Sequence, residues 1–139
     1  MTDLLDHQRL AADGFVVLQN FLAEDYLDRI DRKTQATDEQ RAGNRRLLDR
    51  PWCLELSERI RSDARARSLL PADAYATQCT LFAKTPAKNW LVALHQDLTI
   101  PVARRIESSA CTAWSEKQGE VFVQPPLSVL EELVARHVL

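Results

Sequence analysis

The sequence predicts an α+β protein with helices first and strands later, in a single domain spanning residues 1–139. Apolar stripes at helical spacing, bounded by capping residues, fill the first half of the chain. Short β-branched runs separated by polar turns take over after Pro71. Two thirds of the charged residues fall in the first 70 positions, so the apolar material for a core is concentrated toward the end. With 45% hydrophobic and 27% charged residues, the composition is that of a globular chain and not a disordered one.

Taken in order, Thr2 can cap a first helix reaching about Asp13, and Gly14 stands where a left-handed helix end costs least. Phe15-Val16-Val17-Leu18 is short, apolar and β-branched, which predicts a strand. A second helix is expected from near Leu22. Leu22, Tyr26, Leu27 and Ile30 share its inner face, while Glu24, Asp25, Asp28 and Arg29 point outward. Residues 34–46 have no apolar period and contain Gly43 and Asn44, so they are expected to form a surface loop. A third helix is expected from Arg50 or Pro51 to about Ser68, with Asp49 as its cap and Cys53, Leu56, Ile60 and Ala64 in one stripe. Its Arg59, Arg61, Arg65 and Arg67 alternate with Glu55, Glu58 and Asp63, the pattern of a solvated face and not of a binding patch.

Residues 74–83 and 91–95 read as strands joined by a polar turn over residues 84–89. Residues 99–126 are expected to be irregular because they contain Pro101, Gly119 and Pro125-Pro126. Ser128 to Arg136 has helical composition.

Several function classes are excluded at this level. The net charge of −2, shared evenly between the halves, argues against a nucleic-acid partner. No run approaches the ~20 apolar residues of a membrane span. The acidic start of the chain is unlike a signal peptide, so a cytoplasmic location is expected. Cys53, Cys79 and Cys111 are scattered and odd in number, which reads as reduced thiols and not as a disulfide framework or zinc cage. Three glycines are too few for a phosphate-cradling loop or a dinucleotide fingerprint.

His95-Gln96-Asp97 is the most informative tripeptide. On an extended segment, side chains two positions apart lie on the same side, so the His95 imidazole and the Asp97 carboxylate can aim at one point. On a helix they would diverge by about 200°. Imidazole plus carboxylate is two thirds of the facial triad that holds non-heme Fe(II), the remaining member being a more distant histidine. The tripeptide alone also recurs by chance, and a packed or hydrogen-bonded histidine is its plainer reading.

The run from Leu81 to Ile100, with Asn89-Trp90 leading into Leu94-His95-Gln96-Asp97, resembles the phytanoyl-CoA dioxygenase family. The likeness extends to Asp13-Gly14-Phe15-Val16-Val17-Leu18 near the start and to Val121-Phe122-Val123-Gln124-Pro125-Pro126 before Val129-Leu130-Glu131. It covers nearly the whole chain in the right order. The resemblance implies a double-stranded β-helix, or jelly roll, with helices packed outside its sheet. It also implies Fe(II)- and 2-oxoglutarate-dependent hydroxylation of a small-molecule substrate.

Carried onto this sequence, the resemblance makes His95 and Asp97 metal ligands. It places Lys84, Asn89 and Gln96 near the cosubstrate, although Lys84 and Asn89 read equally well as turn residues. Trp90 reads as core, and Trp114, Ser115 and Lys117 are expected in a loop over the pocket. The resemblance further implies a second iron histidine and an arginine for the far carboxylate of 2-oxoglutarate. Downstream, the chain offers only His137, two residues from its end and preceded by Arg136, in the wrong order. The sequence therefore resembles the first part of such an enzyme, with an incomplete jelly roll. On that reading the chain alone is inactive or weakly active and can self-associate through open sheet edges. A non-catalytic binding remnant is the alternative. A hydrolase using Ser108, Ser109 or Cys111 has no nucleophile motif behind it.

Overall fold

Residues 2–35, 43–82, 86, 91, 93 and 95–138 are described by a computed structural model. Among them the chain is mixed α and β and falls into two compact units, residues 1–81 and 82–139.

In the first unit, helix α1 (Thr2–Asp13) ends at Gly14, whose N–H bonds the Leu10 carbonyl at 3.0 Å and whose φ of 78° then turns the chain out of the helix. The expected strand at residues 15–18 is absent: that segment has neither ladder nor helix. Helix α2 (Glu24–Gln35) begins two residues later than Leu22, with Glu24 and Asp25 in its first turn and Arg32 and Lys33 in its last, matching the helix dipole. It buries Tyr26 and half-buries Leu27 and Ile30.

Helix α3 (Pro51–Ser62) starts on Pro51, where the missing N–H costs nothing. Arg50, not Asp49, stands at its N-cap, and no side chain caps it. The single long helix expected to Ser68 is broken at Asp63, whose backbone is extended (φ −69°, ψ 130°). Asp63 Oδ1 accepts from the N–H groups of Arg65 (2.8 Å) and Ala66 (3.2 Å) and so starts helix α4 (Ala64–Ser68). Helix α4 packs on α3 and α1.

Strands β1 (Gly43–Asn44) and β2 (Leu81–Phe82) pair, and a parallel bridge joins Arg46 to Cys79. Of the long strand expected over residues 74–83, only this end is laddered within the described residues. Among the described residues, Tyr26, Leu47, Cys53, Leu56 and Ala66 are the unit's buried apolar side chains.

The second unit is built where the sequence reading expected irregular chain. Strands β3 (Ile100–Val102), β4 (Thr112–Lys117) and β5 (Glu120–Gln124) form an open antiparallel sheet in the order β3-β5-β4. Ile100 faces Val123 and Val102 faces Val121 across β3–β5, while Ser115 faces Phe122 across β4–β5. Pro101 is tolerated because β3 is an edge strand. The β4–β5 hairpin turns on Gln118 and Gly119, both with positive φ (56° and 78°), as a two-residue primed turn requires. Phe122 and Val123, each 2% exposed, are neighbours on the central strand and so bury both faces of the sheet. Helix α5 covers only Leu127–Leu130, shorter than the expected 128–136. No helix among the described residues is long and apolar enough to cross a membrane.

Candidate functional site

Residues 95–99 run without ladder or helix into β3, so the strand expected over 91–95 is not found at its described positions, Leu91, Ala93 and His95. The segment is nevertheless not helical, and the two side chains converge. His95 Nε2 lies 3.6 Å from Asp97 Oδ1. His95 Nδ1 lies 2.8 Å from the Ala93 carbonyl oxygen. A carbonyl only accepts, so Nδ1 carries the proton that it donates, and in the neutral ring the lone pair is on Nε2.

Two electron-rich atoms therefore face each other across a gap too long for a hydrogen bond. A cation shared between the two atoms stabilises such an arrangement. Two bonds of about 2.1 Å to a common first-row divalent ion span at most about 4.2 Å, and the observed separation is within that reach. Imidazole nitrogen with carboxylate oxygen is also a donor set that suits Fe(II). The residues present thus fit part of an iron site. Both are surface groups, His95 56% and Asp97 94% exposed, so the pair alone contributes little to stability.

The remaining expected residues are not assembled around them. Among the described residues, no three or more His, Cys, Asp or Glu side chains gather as a metal site. His137 is exposed in the chain beyond α5. Gln96 is exposed between His95 and Asp97. Lys84, Asn89 and Trp90 lie outside the described residues. Trp114, Ser115 and Lys117 are on β4 and not in a covering loop, with Arg105 5.4 Å from the Trp114 ring centre and Lys117 5.0 Å from that of Phe122. Ser108 Oγ accepts the Ala110 N–H at 3.2 Å, a turn-forming bond that gives it a structural task.

Two clusters escaped the sequence reading. The guanidiniums of Arg29 (4.8 Å) and Arg59 (4.1 Å) lie against the Tyr26 ring, and both bond Glu55, at 2.9 and 3.2 Å. Burial and the Glu55 charge push the Tyr26 hydroxyl above its usual range, outweighing the two arginines. The i, i+4 spacing of Glu55 and Arg59 signalled one of these contacts; nothing in the spacing signalled Arg29. The second cluster is Cys53 with Cys79: the influence of Cys79, joined by burial, pushes the Cys53 thiol up, while that of Cys53 draws the Cys79 thiol down against burial. No motif pairs cysteines so far apart in sequence.

Compared with protein-family models, curated proteins and solved structures, the chain matches none.

Proposed function

We propose that this chain carries the His-x-Asp part of a non-heme Fe(II)- and 2-oxoglutarate-dependent dioxygenase of phytanoyl-CoA dioxygenase type. The open β3-β5-β4 sheet is, on this reading, a portion of a double-stranded β-helix. The observation that carries the reading is the juxtaposition of His95 Nε2 and Asp97 Oδ1 at 3.6 Å, with the other ring nitrogen already engaged. The resemblance running from Leu81 to Ile100 is the second support.

When bound with 2-oxoglutarate and dioxygen, ferrous iron supplies the oxidising power to hydroxylate a carbon of a small-molecule substrate. His95 and Asp97 would hold the ion. The Ala93 carbonyl orients His95 by accepting the Nδ1 hydrogen bond, which leaves Nε2 facing the metal position. Gln96, and Lys84 and Asn89 on the resemblance alone, would serve the cosubstrate side. With two ligands the described chain would hold iron weakly, so 2-oxoglutarate turnover by this chain alone is expected to be slight or nil.

A second reading is a non-catalytic interaction remnant of the same fold. The exposure of Phe82, Leu91, Leu98 and Ile106, together with the open edges of β3 and β4, favours it and predicts self-association.

Anaerobic titration with Fe(II), with Co(II) as an optical probe, tests the first reading. Saturable binding lost in both His95→Ala and Asp97→Ala is expected. Both side chains are exposed, so their removal leaves the fold intact. No binding, or binding that persists in both variants, refutes the metal site.

A further inference from the structure

The first unit holds an open cleft of about 410 Å³, formed by the last turn of α3, the end of α4 and the chain that follows. That volume is in the range of small-molecule sites. Its apolar lining is Leu70, Pro71 and Ala74, in a turn that the Ala74 N–H closes on the Pro71 carbonyl at 3.0 Å. Its charged lining is Glu58 and Arg61 from α3 and Arg67 from α4. Ser62 also lines the cleft, but its hydroxyl already donates to the Glu58 carbonyl. Asp73, the acid of the turn, is exposed and does not line the cleft.

In sequence, the arginines of α3 and α4 alternate with enough acids to read as a neutralised, solvated face. The fold engages two of those acids elsewhere. Glu55 is taken by Arg29 and Arg59, at 2.9 and 3.2 Å. Asp63 accepts from the Arg65 and Ala66 amides, with the Arg65 guanidinium 3.5 Å away. Glu58 is left for the cleft, where it lies 3.5 Å from Arg61, a loose contact between side chains 70% and 44% exposed. Arg67 is exposed, and its guanidinium has no ion pair or hydrogen bond among the described residues. Two cations against one anion give the cleft a net positive charge of one.

We infer that this cleft binds a small organic carboxylate with a short apolar body, its carboxylate held by Arg67 and Arg61 and its body laid on Leu70, Pro71 and Ala74.

A guanidinium fork suits carboxylate and phosphate alike, so the rest of the lining decides between them. One surplus positive charge balances a monoanion. A phosphate brings about two negative charges. The excess would then sit near Glu58 and near the carbonyl ends of α3 and α4, which disfavour negative charge within their last turns. A free inorganic anion would also leave the apolar lining wet, whereas a short hydrocarbon body covers it.

The test titrates hexanoate into the metal-free full chain and follows the amide proton and nitrogen shifts. Saturable shifts centred on the Leu70, Ala72 and Ala74 amides are expected. Hexanamide has the same body without the charge, and inorganic phosphate has charge without the body; each should bind at least about tenfold more weakly. Arg67→Ala should weaken hexanoate binding about tenfold, because a charge-assisted contact is lost. Glu58→Gln should strengthen it about threefold, because Arg61 is released and a nearby negative charge removed. Arg50→Ala removes the same charge at the other end of α3 and should leave the affinity unchanged. All three side chains are exposed, so the fold survives their replacement, and the comparison of the three probes needs no variant. Absence of saturation below about 50 mM hexanoate overturns the inference. So does equal binding of hexanamide or phosphate, or an affinity that Arg67→Ala leaves at the parent value. The cleft belongs wholly to the first unit and the readout involves no metal, so its failure leaves the His95–Asp97 reading untouched.

Discussion

Truncating Phe122 to alanine removes the largest fully buried side chain of the protein from the central strand of its only three-stranded sheet among the described residues. The unit that contains it has about 60 residues, for which an ordinary domain stability is about 3–9 kcal/mol. Phe→Ala at a closed site costs about 3–5 kcal/mol, through lost transfer energy and the cavity left behind. Collapse cannot refill this cavity easily, because Val123 occupies the other face of the same strand and is equally sealed. The contact of the Lys117 ammonium, 5.0 Å from the ring centre, is lost as well, worth about 0.5–1 kcal/mol at an exposed site. The loss therefore reaches most of what the unit has. Hydrogen–deuterium exchange of the β3, β4 and β5 amides measures it, and their protection should fall by two to three orders of magnitude, about 3–4 kcal/mol. Phe82→Ala is the control. Phe82 belongs to the same unit but is 59% exposed, so its truncation should move these amides by less than about 0.5 kcal/mol. Equal losses in the two variants would show that β5 burial is not what holds the sheet.

Asp63→Ala should destabilise the first unit by about 1 kcal/mol at neutral pH, because two N–H groups of α4 lose their acceptor; urea denaturation reads it. Partial burial raises the Asp63 carboxyl, but the Ala66 and Arg65 amides and the Arg65 charge outweigh it, so its folded pKa lies below the usual value. The parent's advantage is thus complete above the unfolded value of about 3.9 and shrinks as pH falls through the lower folded value. An advantage that grew on acidification would contradict the cap. Gly119→Ala adds a methyl that meets nothing within 4 Å, so only the positive φ of 78° opposes it. Thermal melts should record a loss of about 1–2 kcal/mol; no loss would mean that the hairpin does not use the turn described.

How much was legible in the sequence follows from which interactions are local. Gly14, Pro51 and the Tyr26–Leu27–Ile30 stripe act within one or two turns of their own helix, and they were read correctly. Asp63 was taken for a charge on a solvated face, because the choice between helix interior and cap depends on whether Arg65 and Ala66 N–H groups are already paired. The sheet was missed for a different reason. Pro101, Gly119 and Pro125 read as breakers, yet Pro101 lies on an edge strand and Gly119 in the turn, where their backbone peculiarities cost nothing. The β-branched Val121-Phe122-Val123 run and the adjoining Gln-Gly pair were the available signal. At the candidate site, the i, i+2 spacing foretold the convergence of His95 and Asp97. The Ala93 carbonyl that orients the ring came only from the structure.

What holds His95 and Asp97 in place decides how the pair must be tested. His95 and Asp97 are placed by one short stretch of unladdered chain and are open to water, so screening and side-chain freedom oppose their alignment. Only a shared cation can convert their proximity into an ordered site, which is why metal affinity, and not stability of the metal-free protein, is the informative measurement.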